Sequence, residues 1–483
     1  MDLRHESDIE QLRRIALAQE GQIRILLKVL QDKCAELRRL TGHEEELQQT
    51  LALITDLQRK SVAAETASTT PRKRPKNTQT GHGPSEQPAL PHVDVEVDLD
   101  EADRVCTSCG GQLDEWVGQF EESELVDVVE VQYRVVKVKR KKYRCGCGGY
   151  VATADGGPER VVPGGRYSLT FGAKVATDKH LDHQPLERQV RILKRHGLKV
   201  TSQTLWDQLY ALSTELEPTY QALLAAILEH PVVGVDQTSW PRLHKGKELM
   251  TPWQMWCVTA PGAAYHTIRA DKSAESFVEL LGTFEGSIIC DAASTHTAGI
   301  KSYDKAFIAF CWAHALRKLR DVEDDHPEVH TGLALIRQLY DIDSEAGDDI
   351  EARRTFRDTR SRRVVDELRL WLLANIPRHP KTTAIGNALR YPIRNWEGFK
   401  RFLDDPHVPL DNNATERGLR GPVVGRKNHY GSKSDRGTRA AAILYSLLET
   451  AKLQDVEPTA YLVEAVRAAR RGEVLLPGAL GTN

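Results

Sequence analysis

Three acidic residues carry the most specific chemistry in this chain. Asp236 closes the apolar run Val232-Val233-Gly234-Val235, and Asp291 closes Ser287-Ile288-Ile289-Cys290. Glu416 lies in Asp411-Asn412-Asn413-Ala414-Thr415-Glu416-Arg417, which reads as a helix start. Carboxylates at the ends of neighbouring strands converge, and a third from a crossing helix completes a cage of hard oxygen donors. Such a cage suits Mg²⁺ or Mn²⁺, and a pair of these ions cuts and joins phosphodiesters. Asp404, Asp405, Asp411 and Glu449 compete for the third place. Glu416 is preferred because Arg417 and Arg420 follow on its helix, with Arg420 on the same face; an ordinary surface Glu–Arg pair is the plain alternative. Gly425-Arg426-Lys427-Asn428 and Gly431-Ser432-Lys433 read as a basic loop punctuated by glycine. Arg417, Arg420, Arg426 and Lys427 are therefore candidate contacts to a phosphate backbone.

A second chemistry lies upstream. Cys106-Thr107-Ser108-Cys109 and Cys145-Gly146-Cys147 bracket an alternating stretch, Val126 to Val138, that reads as strands. A hairpin that unites two close cysteine pairs makes a thiolate cage, which Zn²⁺ prefers as a structural ion. Four buried free thiols are the alternative, but a unit this small needs a staple to fold. Arg134, Lys137, Lys139, Arg140, Lys141, Lys142 and Arg144 precede the second pair with no acid among them, a ribbon suited to DNA phosphates. Cys311 and His314 have ligand spacing too, but Cys311 reads as core and His314 as a polar neighbour of the reacting phosphate.

These residues need several elements to position them, and 483 residues are too many for one core. Apolar content of 40%, charge of 28% and a net charge of −2 are ordinary globular values. They exclude a uniformly basic coat but not local basic patches. Eight cysteines, four of them closely paired, fit a reducing compartment and one metal site. No apolar signal core opens the chain and no stretch approaches membrane-spanning length, so a cytoplasmic protein without membrane contact is expected.

The expected fold class is multidomain α+β. Residues 1–60 repeat apolar side chains at heptad spacing, which reads as a coiled coil or helical hairpin for homo-oligomer formation; a helix packed on its own chain is the alternative. Residues 61–92 form a linker carrying Pro71-Arg72-Lys73-Arg74-Pro75-Lys76, and 93–155 the zinc-binding β unit. Residues 165–230 are helical. Within them Leu186 to Arg195, a glycine turn and a helix capped by Thr201 or Ser202 give a helix-turn-helix pattern, one that many plain helical hairpins share. Residues 231–453 read as the core, with a helical insertion at about 321–404 whose six arginines from Arg353 to Arg363 either clamp DNA or form a solvated face. A helical tail, 454–483, ends the chain. In the core, strands end at Asp236, span Trp253 to Thr259 and Ala264 to Arg269, then follow a helix over Ala274 to Leu281. Shorter strands, Ile288 to Cys290 and Ala306 to Phe310, precede helices at Trp312 to Leu319 and Thr438 to Leu453. This is the ribonuclease H-like α/β order, which sets Asp236 beside Asp291.

Val235-Asp236-Gln237-Thr238, Cys290-Asp291, Cys311-Trp312-Ala313-His314-Ala315-Leu316-Arg317-Lys318, Asn412-Asn413-Ala414-Thr415-Glu416-Arg417-Gly418-Leu419-Arg420 and Gly425-Arg426-Lys427-Asn428 resemble the insertion-sequence-66 family of DDE transposases. Leu181-Asp182-His183-Gln184-Pro185-Leu186 and the cysteine pairs resemble the same family in the same order. The resemblance implies Asp236, Asp291 and Glu416 as the metal-binding triad, double-stranded DNA as substrate, and accessory proteins encoded by the same element. One departure is Gln237, where the family usually has Glu. The expected activity is cleavage of element ends and joining of 3′-hydroxyls to target DNA. The rival readings are a DNA-binding regulator with an inactive core, and a nuclease that cuts without joining. An ATP-driven role is disfavoured, since no glycine-rich loop precedes a Lys-Thr or Lys-Ser.

Overall fold

The computed structural model describes residues 133–144, 151–154, 157–243 and 251–478, with Gly110 and Gln112. The coiled coil of 1–60, the linker of 61–92 and the zinc cysteines Cys106, Cys109, Cys145 and Cys147 lie outside the described residues. The elements below belong to Leu125–Asn483, one of two units into which the chain divides. In the upstream region, Lys142–Arg144 (β1) pairs antiparallel with Val151–Thr153 (β2). The described part of the alternating stretch, from Tyr133 to Val138, is not in a strand. Lys139, Arg140, Lys141 and Lys142 are exposed.

Four helices follow: Leu169–His180 (α1), Leu186–Arg195 (α2), Ser202–Glu215 (α3) and Glu217–Leu228 (α4). Gly197, at φ +82°, turns the chain after α2. Thr201 Oγ1 accepts the Thr204 N–H at 3.1 Å and so caps α3. The apolar stripe Leu205, Leu209 and Leu212 of α3 is fully buried, and its outer face carries Trp206 stacked on Tyr210.

The sheet has five strands: Val232–Arg242 (β3), Thr251–Ala260 (β4), Ala263–Arg269 (β5), Gly286–Cys290 (β6) and Ala306–Phe310 (β7). Their order is β5-β4-β3-β6-β7, with β3, β4 and β5 an antiparallel meander and β6 and β7 parallel to β3. Pro261-Gly262 links β4 to β5, and Gly262 supplies the φ of +71° that this tight turn requires. Ala274–Leu281 (α5) crosses from β5 to β6, started by Ser273 and ended at Gly282. Ser294–Gly299 (α6) follows β6, and Trp312–Arg320 (α7) follows β7.

Between α7 and the last helices lies a helical insertion: His330–Ala346 (α8), Ile350–Phe356 (α9), Arg362–Asn375 (α10), Ala384–Arg394 (α11) and Trp396–Lys400 (α12). A π turn, Arg357–Ser361, joins α9 to α10. It turns Arg357 inward, where Nε and Nη2 hold Asp343 at 2.8 and 2.5 Å. Arg357 Nη1 donates to the carbonyls of Phe402, Asp405 and Val408. Neither a DNA clamp nor a solvated face describes this side chain, which is 1% exposed. Its neighbours Arg360, Arg362 and Arg363 pair with Glu345, Asp358 and Glu367.

Asn413–His429 (α13), Asp435–Leu453 (α14) and Pro458–Arg470 (α15) complete the order. From Ala440 to Ala451, α14 is buried without a break, as expected of a helix covered on all sides. It packs on β5, where Ser446 Oγ accepts the His266 N–H at 2.7 Å and Thr450 Oγ1 the Ala264 N–H at 3.1 Å. Tyr220 Oη of α4 donates to the His266 carbonyl at 2.8 Å. A continuous apolar cluster runs from Val161 through the sheet and insertion to Val466. The helices of 165–230 thus share their core with the sheet. No described helix is long and apolar enough to cross a membrane.

Candidate active site

Asp236 is not at a strand end. β3 continues to Arg242 along β4, with Asp236 opposite Cys257, while its parallel ladder to β6 stops at Gly234 opposite Ile289. Asp236 therefore stands at a fork, where one side of β3 is still paired and the other has opened. Extending the parallel register by two places brings Asp236 beside Asp291, which follows β6.

Glu416 reaches the same region from the first turn of α13 through a buried polar node. Asn412 Nδ2 donates to the Val235 carbonyl at 2.9 Å, and Thr415 Oγ1 donates to Asn412 Oδ1 at 2.6 Å. Thr415 Oγ1 also lies 2.6 Å from Thr259 Oγ1 of β4. The Asn412 N–H points at Cys311 Sγ, 3.2 Å away. Two of the three acids are one residue from a member of this node, Asp236 after Val235 and Glu416 after Thr415. Gly234 makes room for it, since a Cβ there would meet Thr415 Oγ1, Asn412 Oδ1 and Thr259 Oγ1.

The Asp236 carboxyl feels the other two acids. Burial raises the Asp236 carboxyl to about 6; the Gln237 N–H, bonded to Oδ1 at 2.7 Å, opposes this, while Asp291 and Glu416 add to it. Asp291 behaves oppositely. Burial pushes it up, but the His296 ring, 2.7 Å from Oδ1, and the Ala293 N–H outweigh burial and hold it below the usual carboxylate range. For His296 itself, burial opposes a charge on the ring, yet Cys290 and Asp291 beside it hold its pKa above the ordinary value. His296 Nδ1 thus ties down one Asp291 oxygen.

On the far side, Arg317 Nη2 of α7 donates to Glu416 Oε2 at 3.3 Å, and His314 Nε2 lies 3.6 Å from Oε1. Glu416 Oε1 is a buried acceptor without a hydrogen-bond donor. Burial lowers His314, while Glu416 and Asp291 pull it upward, so this ring faces both acids. Cys311, His314 and Glu416 have ligand atoms within 4.8 Å of one another. Cys311 is a poor ligand all the same, because burial pushes its thiol up to about 11 and only the thiolate binds metal. The oxygens of Asp236, Asp291 and Glu416 are not gathered within 4.8 Å of one another among the described residues, but an undercoordinated Glu416 oxygen and an Asp236 carboxyl that resists ionisation suit a hard divalent cation drawn between them.

The basic residues divide. Arg417, Arg420 and Lys427 are exposed on α13. Arg426 is half-buried and turned onto β3, where it donates to Thr238 Oγ1 at 2.9 Å and to the Ser239 carbonyl. Residues 425–429 form the last turn of α13 rather than a loop. Gly425 is needed for close packing, since its Cβ would strike the Tyr445 hydroxyl. Four residues of the site were not visible as such in the sequence: His296, Arg317, Thr259 and Tyr391, whose hydroxyl accepts the Ala292 N–H at 3.2 Å. Asn412 and Thr415 stood in a recognisable motif without an assigned task. Arg317 likewise lay in a motif, but His296 had no local signal.

The chain is similar to known proteins along most of its length. The model of the Transposase IS66 family matches residues 164–440, and that of the zinc-finger binding domain of transposase IS66 matches 103–148. Among individual relatives, the chain is 29% identical over 413 residues to uncharacterized protein y4jD of Sinorhizobium fredii, covering 80% of each. It is 26% identical over 458 residues to uncharacterized protein y4hP of the same organism, covering 89% of this chain and 81% of the relative.

Proposed function

The chain belongs to the IS66 family of transposases, and on that premise we propose that it cleaves the ends of its element and joins the 3′-hydroxyls to target DNA. Asp236, Asp291 and Glu416 are assigned as the acids that hold the catalytic cations, on what we infer to be a ribonuclease H-like core. The observation that carries this reading is the fork in β3. In support, the fork turns Asp236 toward the segment that carries Asp291, both Asp291 and Glu416 act on the Asp236 carboxyl, and the Asn412–Thr415 node ties the start of α13 to Val235.

Mg²⁺ or Mn²⁺ bound there would supply Lewis acidity at the scissile phosphate and lower the pKa of an attacking hydroxyl or water. The protein's own residues prepare that chemistry. His296 fixes the Asp291 carboxylate and leaves one oxygen free. Arg317 holds Glu416 Oε2 and leaves Oε1 open. His314, facing both acids, is placed to donate to a phosphate oxygen. Arg417, Arg420 and Lys427 line the exposed side of α13 and would position the DNA backbone, as phosphate contacts do. The Lys139–Lys142 ribbon, beside a zinc unit held by Cys106, Cys109, Cys145 and Cys147, would add sequence-independent affinity. Residues 1–60 would pair copies of the chain on two element ends, with accessory proteins of the element as further partners.

The test is an in vitro strand-transfer assay on the native flanking DNA with Mg²⁺. Wild-type protein should yield ends joined to target, and Asp236→Asn should bind ends but join none. Joining by the variant would overturn the triad. Cleaved but never joined ends would indicate a nuclease, and bound but uncut ends a regulator.

A further inference from the structure

A second cluster of metal-ligating side chains lies outside the carboxylate site, at the base of the helical insertion. His326 precedes the 3-10 turn Pro327–Val329, which carries Glu328, and His379 closes the 3-10 turn Ile376–Arg378 between α10 and α11. Fifty-odd residues of chain separate the two histidines, yet His326 Nδ1, Glu328 Oε1 and His379 Nε2 lie within 4.8 Å of one another.

The spacing is the informative part. His326 Nδ1 is 3.3 Å and His379 Nε2 3.4 Å from the same Glu328 oxygen. Both exceed the usual length of an N–H···O hydrogen bond, roughly 2.9 Å and shorter still when charged. They agree with the edge of a tetrahedron around an ion whose ligands sit at about 2.0–2.1 Å, an edge of roughly 3.3 Å. The rings meet edge to face at 80° with centroids 5.7 Å apart, so they converge rather than stack.

The backbone holds this arrangement in advance of any ion. Each histidine precedes a proline, Pro327 or Pro380, which confines its backbone to extended conformations. His326 has φ −137° and ψ 74°, and His379 φ −126° and ψ 117°. The side chains remain reachable from solvent, at 35% exposed for His326, 37% for Glu328 and 17% for His379.

We propose that His326, Glu328 and His379 form a second metal site that binds a borderline transition ion, Zn²⁺ foremost. Two imidazoles and one carboxylate are a nitrogen-rich set that Zn²⁺ accepts and Mg²⁺ does not favour. Three protein ligands leave the fourth position to water. The ion would clip the segment leaving α7, the helix of His314 and Arg317, to the turn between α10 and α11. It is independent of the carboxylate triad and of the cysteine-bound zinc.

Full-length protein carrying its cysteine-bound zinc is titrated with Zn²⁺ against a chromophoric chelator, with millimolar Mg²⁺ present to fill oxygen-donor sites. Wild type should take up one further equivalent and gain thermal stability as it does so. His379→Ala and Glu328→Gln should each lose that equivalent and that gain while keeping the wild-type circular dichroism spectrum. Glu328→Gln keeps the shape of the side chain and covers the case in which His379→Ala misfolds. In Co²⁺-loaded protein the additional site should show ligand-field absorption without a thiolate charge-transfer band. Equal uptake by wild type and both variants, or no uptake beyond the cysteine site, would overturn the proposal.

Discussion

Replacement of Asp236 by Asn should make the metal-free protein more stable while removing its activity, and the gain should depend on pH. Burial raises the Asp236 carboxyl from the ordinary 3.8 to about 6, which corresponds to about 3 kcal/mol of disfavoured ionisation. The folded chain holds this proton more tightly than the unfolded chain. Between the two values folding therefore takes up a proton, and stability falls as pH rises. Below 3.8 both states are protonated and nothing is lost; above about 6 both are ionised and the whole penalty stands. Asn is neutral throughout, and its Oδ1 can still accept the Gln237 N–H that Asp236 accepts at 2.7 Å. The variant should thus exceed wild type by about 1 kcal/mol at pH 4.5 and about 3 kcal/mol at pH 7.5. At an unfolding entropy near 2.1 cal/mol/K per residue over roughly 350 residues, 3 kcal/mol is a rise of about 4 °C. Calorimetry in Mg²⁺-free buffer measures this. Added Mg²⁺ should close the gap, because it neutralises the ionised wild-type carboxylate. A variant no more stable than wild type at pH 7.5, or a gap that does not widen with pH, would refute the reasoning.

The polar node should be equally sensitive. Asn412→Ala removes the bonds to the Val235 carbonyl and from Thr415 and should cost about 1–3 kcal/mol, with weaker Mn²⁺ binding in calorimetric titration; Asn413→Ala is the control and should change little. Gly234→Ala, which drives a methyl into three side-chain oxygens of that node, should abolish Mn²⁺ binding or reduce soluble yield. Arg357→Ala leaves Asp343 and three carbonyls without their donor and should cost about 3–5 kcal/mol in denaturant unfolding. Arg363→Ala, whose partner Glu367 is on the exposed face of α10, should stay within about 0.5 kcal/mol.

Much of the core was legible because local and tertiary signals coincide there. α5 and β7 match their sequence limits, Ala274–Leu281 and Ala306–Phe310; Ser273 and Gly282 mark the ends of α5 chemically, and the short apolar run of β7 has no other use. Asp236 was misread as a strand end because the apolar run that precedes it covers only the start of β3, where the strand pairs with β6. The continuation to Arg242 is dictated by β4, whose partners lie far along the chain. Gly425 reads as a turn former, and only the Tyr445 hydroxyl against it reveals a packing role. The arginine cluster misled for a related reason. A π turn, invisible in composition, carries Arg357 to the inside while its neighbours remain outside. His296 could not be found from spacing, since its pairing with Asp291 exists only once the chain has turned into α6. The third acid, by contrast, owed its selection to Arg417 and Arg420 and to the Asn412-Asn413 motif before it, whose Asn412 bonds to Thr415. Their node supplies a physical reason for that motif: it couples the start of α13 to β3 and β4.

The hydroxyls that α14 lends to β5 bear on how copies of this protein can meet. An outer strand ordinarily offers a ladder of unmet amides and carbonyls on which a foreign strand can grow. Here Ser446 and Thr450 meet the outward amides of His266 and Ala264, and Tyr220 meets the His266 carbonyl. That margin of the sheet is closed to β-augmentation. Two such cores brought to one piece of DNA cannot join β5 to β5 as one sheet, and along this margin they can part again without unzipping a shared ladder.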